Sequence, residues 1–247
     1  MRDRALVLAG IVGITVAAWL YVVLVAGRDI LAMPRDMVMP FQPWTATDFL
    51  LMLLMWTAMM AGMMLPSAAP TLLVFSYFAR RQRAAGHPVA STGIFALGYA
   101  IAWTVFSLAA TFLQWALESA ALMSPMMVAT SRFLGGGLLV AAGLYQWSPP
   151  KRSCLAHCRS PLDFVARHFR ADAAGALRMG IEHGIYCVGC CWLLMSLLFF
   201  AGVMNLEWVA AIMLLVLLEK IVPFGPELGR ASGVLLAAAG LLVLYGL

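Results

Sequence analysis

The chain has 247 residues, and its composition separates it from soluble proteins of that length. Hydrophobic residues make up 64% of the chain and charged residues 11%, whereas roughly a quarter of the residues in a soluble domain are charged. The apolar residues form continuous runs, which excludes a soluble enzyme core, a disordered chain, a coiled coil and an outer-membrane barrel. Because loop asymmetry explains the net charge of +5, no nucleic acid is predicted as a partner.

Seven apolar runs predict membrane-spanning helices, each of which needs ~20 residues to cross a hydrocarbon core about 30 Å thick. In chain order the runs are Leu6–Ala26, Phe49–Phe78, Thr92–Leu117, Met126–Trp147, Ile185–Met204, Trp208–Leu218 and Ala231–Leu247. The first run is too long for a signal peptide, so we interpret it as a retained helix. The second contains Pro66 and Pro70, which predict a break or a kink. We therefore predict an all-α fold, a single polytopic bundle of about seven spans over residues 1–247 in a lipid bilayer.

The basic residues predict the orientation, since cytoplasmic loops carry the excess of Lys and Arg. With the N-terminus inside, thirteen of the 16 basic residues are cytoplasmic, and only Arg28, Arg35 and Arg132 are not. The longest loop, about residues 148–182, is then cytoplasmic and has the pattern of an amphipathic segment on an anionic leaflet. Helical spans of this kind indicate a multi-pass protein of the bacterial inner membrane.

Cysteine and histidine cluster in one part of the chain. All five cysteines and three of the four histidines lie between positions 154 and 191. One group reads Cys154-Leu-Ala-His157-Cys158 and the other His183-Gly-Ile-Tyr-Cys187-Val-Gly-Cys190-Cys191. On a continuous helix, a spacing of four puts Met179, His183, Cys187, Cys191 and Met195 on one face. The candidate metal ligands of this cluster are Cys154, His157, Cys158, His183, Cys187, Cys190 and Cys191.

The clustered cysteines and histidines have three interpretations. Thiolate, thioether and imidazole groups together select soft or borderline metals, so the predicted cofactor is copper or zinc. Cys187-x-x-Cys190 is also the pattern of a redox dithiol, although a reducing cytoplasmic face disfavours a stable disulfide. Buried free cysteines can also serve as small core residues.

A methionine stripe runs along the second apolar segment. At 100° per residue, Asp48, Met52, Met55, Met59 and Met63 share one arc, and Met60 and Met64 form a second stripe beside it. A thioether ladder could provide exchangeable Cu(I) sites, so Met55, Met59 and Met63 are included among the candidate ligands. Methionine is equally well suited to filling a core.

Four motifs together resemble a family of bacterial proteins described as predicted metal-binding integral membrane proteins, a domain of unknown function. The motifs are Trp56-Thr-Ala-Met59-Met60-Ala-Gly-Met63-Met64-Leu-Pro66, Cys154-Leu-Ala-His-Cys158-Arg159-Ser-Pro161, Gly180-Ile-Glu-His183-Gly-Ile-Tyr-Cys187-Val-Gly-Cys190-Cys191-Trp192, and Glu219-Lys220 followed by Pro223. The resemblance covers about Thr45 to Arg230. It implies metal binding and names no reaction, substrate or partner.

The leading hypothesis is a membrane protein that binds a soft metal, copper first, for transport or delivery to a membrane enzyme. A second hypothesis is an accessory or structural subunit of a larger respiratory or photosynthetic complex, in which the glycines near positions 135–143 and at 240 permit close helix contacts. A third is a membrane thiol–disulfide oxidoreductase. The chain has no P-loop, so no nucleotide is predicted, and no catalytic residues are assigned.

Overall fold

A computed structural model describes residues 2–32, 44–123 and 131–246, and every regular element in these ranges is an α-helix. In chain order the helices are α1 (Arg2–Ala32), α2 (Ala46–Ala84), α3 (Thr92–Ser119), α4 (Arg132–Tyr145), α5 (Pro149–Arg159), α6 (Pro161–His168), α7 (Ala173–Ser196), α8 (Leu198–Ala201), α9 (Leu206–Ile221) and α10 (Gly225–Tyr245). The all-α prediction is confirmed.

Within the described residues, five stretches are long and apolar enough to cross a membrane. They lie in α1, α2, α3, α7 with α8, and α10, which correspond to five of the seven predicted spans. The other two runs correspond to α4, with 14 residues, and α9, with 16. At 1.5 Å per residue these helices are about 21 and 24 Å long, shorter than a hydrocarbon core of about 30 Å. Residues 126–130 of the fourth predicted span lie outside the described residues.

The helix α2 is continuous across Pro66 and Pro70, so the chain does not break there, and a kink at these prolines stays a prediction. Proline removes a backbone donor, and polar side chains can then stabilise the carbonyl groups of the affected turn. Here the hydroxyls of Ser67 and Tyr99 both donate to the carbonyl oxygen of Met64, over 2.9 and 3.0 Å. With 39 residues, α2 is about 58 Å long and extends beyond one bilayer crossing.

The helices pack in pairs, chiefly α3 with α7, α4 with α10 and α1 with α2, and α2 also contacts α3. Glycines permit the closest contacts. A Cβ atom at Gly143 would lie 2.6 Å from the carbonyl oxygen of Gly233, and one at Gly136 would lie 2.9 Å from that of Gly240. Each pair of facing glycines therefore lets the backbones of α4 and α10 approach directly.

The loop of about residues 148–182 folds into the bundle. It contains α5, α6 and the first turns of α7, where an amphipathic segment on the leaflet was expected. The helix α5 packs against α7 and α9, and α6 packs against α2. Phe164 and Val165, the apolar residues of that expected segment, are buried in the protein core. Sequence periodicity identified the apolar face correctly, but this face packs against the protein core where contact with the lipid leaflet was expected.

Candidate metal centre

Helix α7 carries the ladder of soft donors. It begins after Asp172, whose carboxylate accepts a hydrogen bond from the backbone N–H of Gly175 over 2.9 Å and caps the helix. Because α7 is continuous to Ser196, the residues spaced by four share one face, and all are buried: Met179, His183, Cys187, Cys191 and Met195. The predicted start at Ile185 is too late by about three turns, since His183 and Met179 are already helical.

A close crossing with α3 positions the middle of α7. A Cβ atom at Gly180 would overlap the carbonyl oxygen of Phe95, and one at Gly98 would overlap that of Leu177. Only glycine allows the backbones this close. The crossing brings the hydroxyl of Tyr99 to 3.1 Å from the sulfur of Cys187.

Helix α5 supplies the fourth thiol of the centre. It begins after Ser148, whose hydroxyl accepts a hydrogen bond from the backbone N–H of Lys151, and prolines occupy its first turn. Cys158 forms side-chain hydrogen bonds with Cys187 and Cys190, and Cys187 also interacts with the Cys191 side chain. Two helices that are distant in sequence therefore bring four buried thiols together. These hydrogen bonds, with burial, raise the pKa of the Cys158 thiol well above its ordinary value.

Cys187 lies at the centre of the polar contacts. Its sulfur lies 3.1 Å from the hydroxyl oxygen of Tyr99 and accepts a hydrogen bond from the ammonium group of Lys220 over 2.9 Å. The same ammonium group donates to the hydroxyl of Ser67 over 3.0 Å. A buried ammonium group requires an anionic or strongly polar partner, and Cys187 would meet this requirement in its thiolate form. The centre thus places a positive charge beside a soft donor.

The thiols are not oriented for a metal. The thiols of Cys190 and Cys191 both donate to the carbonyl oxygen of Cys187, over 3.1 and 2.9 Å. Within the three described ranges, no three His, Cys, Asp or Glu side chains already form a preformed metal site. Binding would require rotation of these thiols about χ1 and loss of protons, as metal thiolates generally do.

His183 is buried with an unused nitrogen. Its side chain is 2% exposed, and its Nδ1 has no hydrogen-bond partner among the described residues. The rings of Phe95, Tyr99 and Phe164 surround it, with centroids 6.1, 5.8 and 5.2 Å away. A buried polar atom without a partner is costly, and a metal ion is one partner that would satisfy it.

Two predicted ligands, Cys154 and His157, lie outside the group of four thiols, although Cys154 is near Cys190. Cys154, one turn before Cys158, is half-buried and faces Gly189, where a Cβ atom would lie 2.7 Å from its sulfur. Burial, followed by the proximity of Cys190, raises the pKa of the Cys154 thiol. The ring of His157 stacks on Tyr186 with the centroids 4.1 Å apart. It therefore does not join the cysteine cluster.

The methionine that meets the cysteines comes from the second stripe. The sulfur of Met64 lies 4.0 Å from that of Cys191. Met55, Met59 and Met63 of the first stripe are all buried, and Met59 lines a small cavity beside Ala18 and Val209, on helices α1 and α9. The periodicity defined both stripes, but only the fold shows which one faces α7.

The two buried lysines were not among the predicted site residues. Lys151 donates to Glu219 over 2.6 Å and to Gln146, and Gln146 donates to the other carboxylate oxygen of Glu219 over 2.9 Å. Lys220, the next residue along α9, faces Cys187 instead. The sequence signal for such a role was the Glu219-Lys220 pair at the end of an apolar run. Adjacent residues on a helix point about 100° apart, so the two side chains meet different neighbours.

Comparison with known proteins places the chain in a family. A family model described as "PpoB2: Copper chaperone" matches residues 53–243, which include α3 to α9, most of α2 and most of α10. No curated protein and no solved structure matches the chain. The match covers all four motifs on which the resemblance to a metal-binding family rests.

Proposed function

Since this chain belongs to the PpoB2 copper chaperone family, we propose that it binds Cu(I) in a membrane bundle and delivers the ion to a membrane enzyme. The observation that carries the proposal is the convergence of Cys158 from α5 with Cys187, Cys190 and Cys191 from α7. Copper is the cargo in this proposal.

The donor set favours Cu(I) over Zn(II). Thiolates bind both ions, whereas a thioether is a ligand for the softer Cu(I). Met64 lies beside Cys191, and His183, with its free nitrogen, lies one turn before Cys187. A set of thiols, a thioether and an imidazole therefore supports copper, with zinc as the less suitable ion.

Charge balance supports a monovalent ion at this buried site. One Cu(I) cannot neutralise two or three thiolates, so the occupied site would carry net negative charge in a medium of low polarity. The ammonium group of Lys220, already bonded to Cys187, would compensate for it. Met55, Met59 and Met63 remain candidates for weaker, exchangeable sites along α2.

The five long apolar helices support integration into a membrane, and the distribution of Lys and Arg supports a cytoplasmic N-terminus in the bacterial inner membrane. In that orientation α5, α6 and the C-terminal end of α9 face the cytoplasm, and seven crossings leave the C-terminus outside. Fusions of a periplasm-active phosphatase after Leu247, and of a cytoplasm-active fluorescent protein at residue 86, test this topology. An inactive phosphatase after Leu247 would contradict it.

Copper binding is tested by competition with a chromophoric Cu(I) chelator, using reduced protein purified in detergent. We expect one tightly bound Cu(I) in the wild type and a loss of affinity of at least a hundredfold in Cys187→Ser and in Cys158→Ser. Cys154→Ser is the matched control, because its thiol lies on the same helix as Cys158 but faces Gly189. Equal copper binding in all four proteins would contradict the proposed centre.

The redox alternative receives less support from the geometry. All five cysteines are free, and the four thiols of the centre are buried. Thiol exchange requires an accessible thiolate that can reach the partner's sulfur. An accessory role in a respiratory or photosynthetic complex is compatible with copper delivery, and co-purification of a membrane enzyme in stoichiometric amounts would support both.

A further inference from the structure

A second cluster of metal-binding side chains lies outside the thiol centre. An open cavity of about 400 Å³ between α5 and α6 is lined by both His157 and His168. The other lining residues come from the same two helices and the turn between them: Ala156, Ser160, Asp163, Phe164 and Arg167. The proposed centre uses neither of these histidines.

Each of the two imidazoles is held in one orientation by the helix that carries it. Nδ1 of His157 lies 2.9 Å from the carbonyl oxygen of Ser153, and Nδ1 of His168 lies 2.9 Å from that of Phe164. A carbonyl oxygen only accepts hydrogen bonds, so in both rings Nδ1 carries the hydrogen. In the neutral ring Nε2 then offers its lone pair, and histidine ligands in metal sites are commonly held by such a hydrogen bond.

The rings are also fixed by stacking. His157 is parallel to the ring of Tyr186 within 4°, and His168 stacks on Phe164 with the centroids 4.9 Å apart. Both contacts restrict the side chains without using Nε2. The arrangement therefore provides two oriented imidazole donors at one cavity.

Phe164 lies beside both this cavity and the buried centre. Its ring lines the cavity and also lies 5.2 Å, centroid to centroid, from the ring of His183. Phe164 therefore contacts both the cavity and the histidine whose Nδ1 is unused.

The mouth of the cavity faces a polar environment. Asp163 and Arg167, which line it, form an ion pair of 2.7 Å whose side chains are 58% and 74% exposed. A charged pair this exposed is stable in water or at the headgroup level and costly in hydrocarbon. An ion in the aqueous phase can therefore reach the cavity without crossing lipid.

We propose that the cavity of His157 and His168 is the port at which Cu(I) is received from the aqueous phase and passed by way of His183 to the thiols. This inference rests on the proposed function. The transfer is a ligand exchange without a change in oxidation state. A bond from copper to an imidazole Nε2 breaks, a bond to a cysteine sulfur forms, and the proton displaced from that thiol leaves to solvent. Imidazole suits the receiving step, because it binds copper less tightly than a set of thiolates does.

Stopped-flow kinetics test whether the cavity receives copper. Cu(I) is transferred from its complex with bathocuproine disulfonate to the reduced full-length protein in detergent. The absorbance of the complex reports the rate of copper uptake, and the end point reports the amount bound. In the His157→Ala/His168→Ala double variant we expect the rate of uptake to fall about tenfold. The amount of copper bound at the end point should not change, because the thiols determine it. The matched control is His87→Ala, which removes an exposed histidine in the turn after α2, away from the cavity.

A second measurement avoids dependence on the folding of the double variant. Diethyl pyrocarbonate acylates accessible imidazoles, and in a His87→Ala background its targets at the surface are His157 and His168. Acylation should slow uptake to the same extent. Uptake at the wild-type rate in the double variant or in the acylated protein would overturn the proposed role of the cavity. Failure of the unmodified wild type to bind copper at all would instead overturn the proposed function.

Discussion

The ammonium nitrogen of Lys220 lies 2.9 Å from the sulfur of Cys187, and both side chains are buried. The other buried lysine, Lys151, is paired with Glu219, which lies on a different face of α9. Among the described residues Lys220 has no carboxylate partner, and its charge is directed at the thiols. This makes it an electrostatic component of the centre although it cannot bind the metal.

Replacing Lys220 by Met should weaken Cu(I) binding. The substitution keeps the volume of the side chain but removes the positive charge that compensates the thiolates, and charge interactions are strong in a medium of low polarity. We expect Kd to rise on the order of tenfold, equivalent to about 1.4 kcal/mol. Competition with a chromophoric Cu(I) chelator measures it. Lys220→Arg, which retains the charge, is the control, and tighter binding in Lys220→Met would mean that the lysine competes with copper for Cys187.

Met64→Leu should weaken Cu(I) binding, whereas Met63→Leu should not. Both methionines are buried on α2, but the sulfur of Met64 is the one that lies 4.0 Å from Cys191. Leucine has a similar volume and no sulfur, so the loss isolates the thioether. We expect roughly a tenfold loss of affinity, at the lower end of the range for residues that support a metal site. If Met63→Leu has the larger effect in the same competition assay, the first stripe is the one that binds copper.

The sequence allowed a good prediction of the elements and of the ladder on α7. Hydrophobic runs identified the long helices, and spacing by four placed His183, Cys187 and Cys191 on one face because a helix has a fixed period. The periodicity of a single helix does not determine which neighbour that face meets. Cys154 and Cys158 share a face of α5, for example, and only the packing of α5 on α7 separates their surroundings.

The missed contacts all depend on tertiary structure. The stripe of Met64 and the stripe of Met63 are equivalent in sequence terms until the position of α3 and α7 is known. The prolines of α2 predicted a break because a sequence does not reveal that Tyr99, 35 residues from Met64, donates to its carbonyl oxygen. The same applies to His157, whose ring is held by Tyr186 from α7.

Glu219→Gln should destabilise the fold. Its carboxylate pairs with the buried ammonium group of Lys151 over 2.6 Å, and removal of one partner leaves a buried charge uncompensated. Losses for such pairs are about 3–5 kcal/mol. The midpoint of denaturation by SDS in mixed micelles measures the change. Asp163→Asn is the matched control, because it breaks an exposed pair worth about 0–1 kcal/mol. Similar losses in the two variants would show that the charge of Lys151 is tolerated without Glu219, with Gln146 as its remaining partner.

Gly180→Ala should both destabilise the bundle and reduce copper binding. A Cβ atom at this position overlaps the carbonyl oxygen of Phe95, so α3 and α7 must move apart and Tyr99 must withdraw from Cys187. Overpacking of this kind costs about 1–3 kcal/mol. Gly137→Ala is the control, since a Cβ atom there meets no described atom outside its own helix backbone within 4 Å and alanine is a better helix former by up to ~1 kcal/mol. The denaturation midpoint and the Cu(I) affinity should therefore both fall in Gly180→Ala, whereas in Gly137→Ala the midpoint should stay equal or rise and the affinity should not change. Wild-type copper affinity in a destabilised Gly180→Ala protein would separate the helix crossing from the geometry of the thiols.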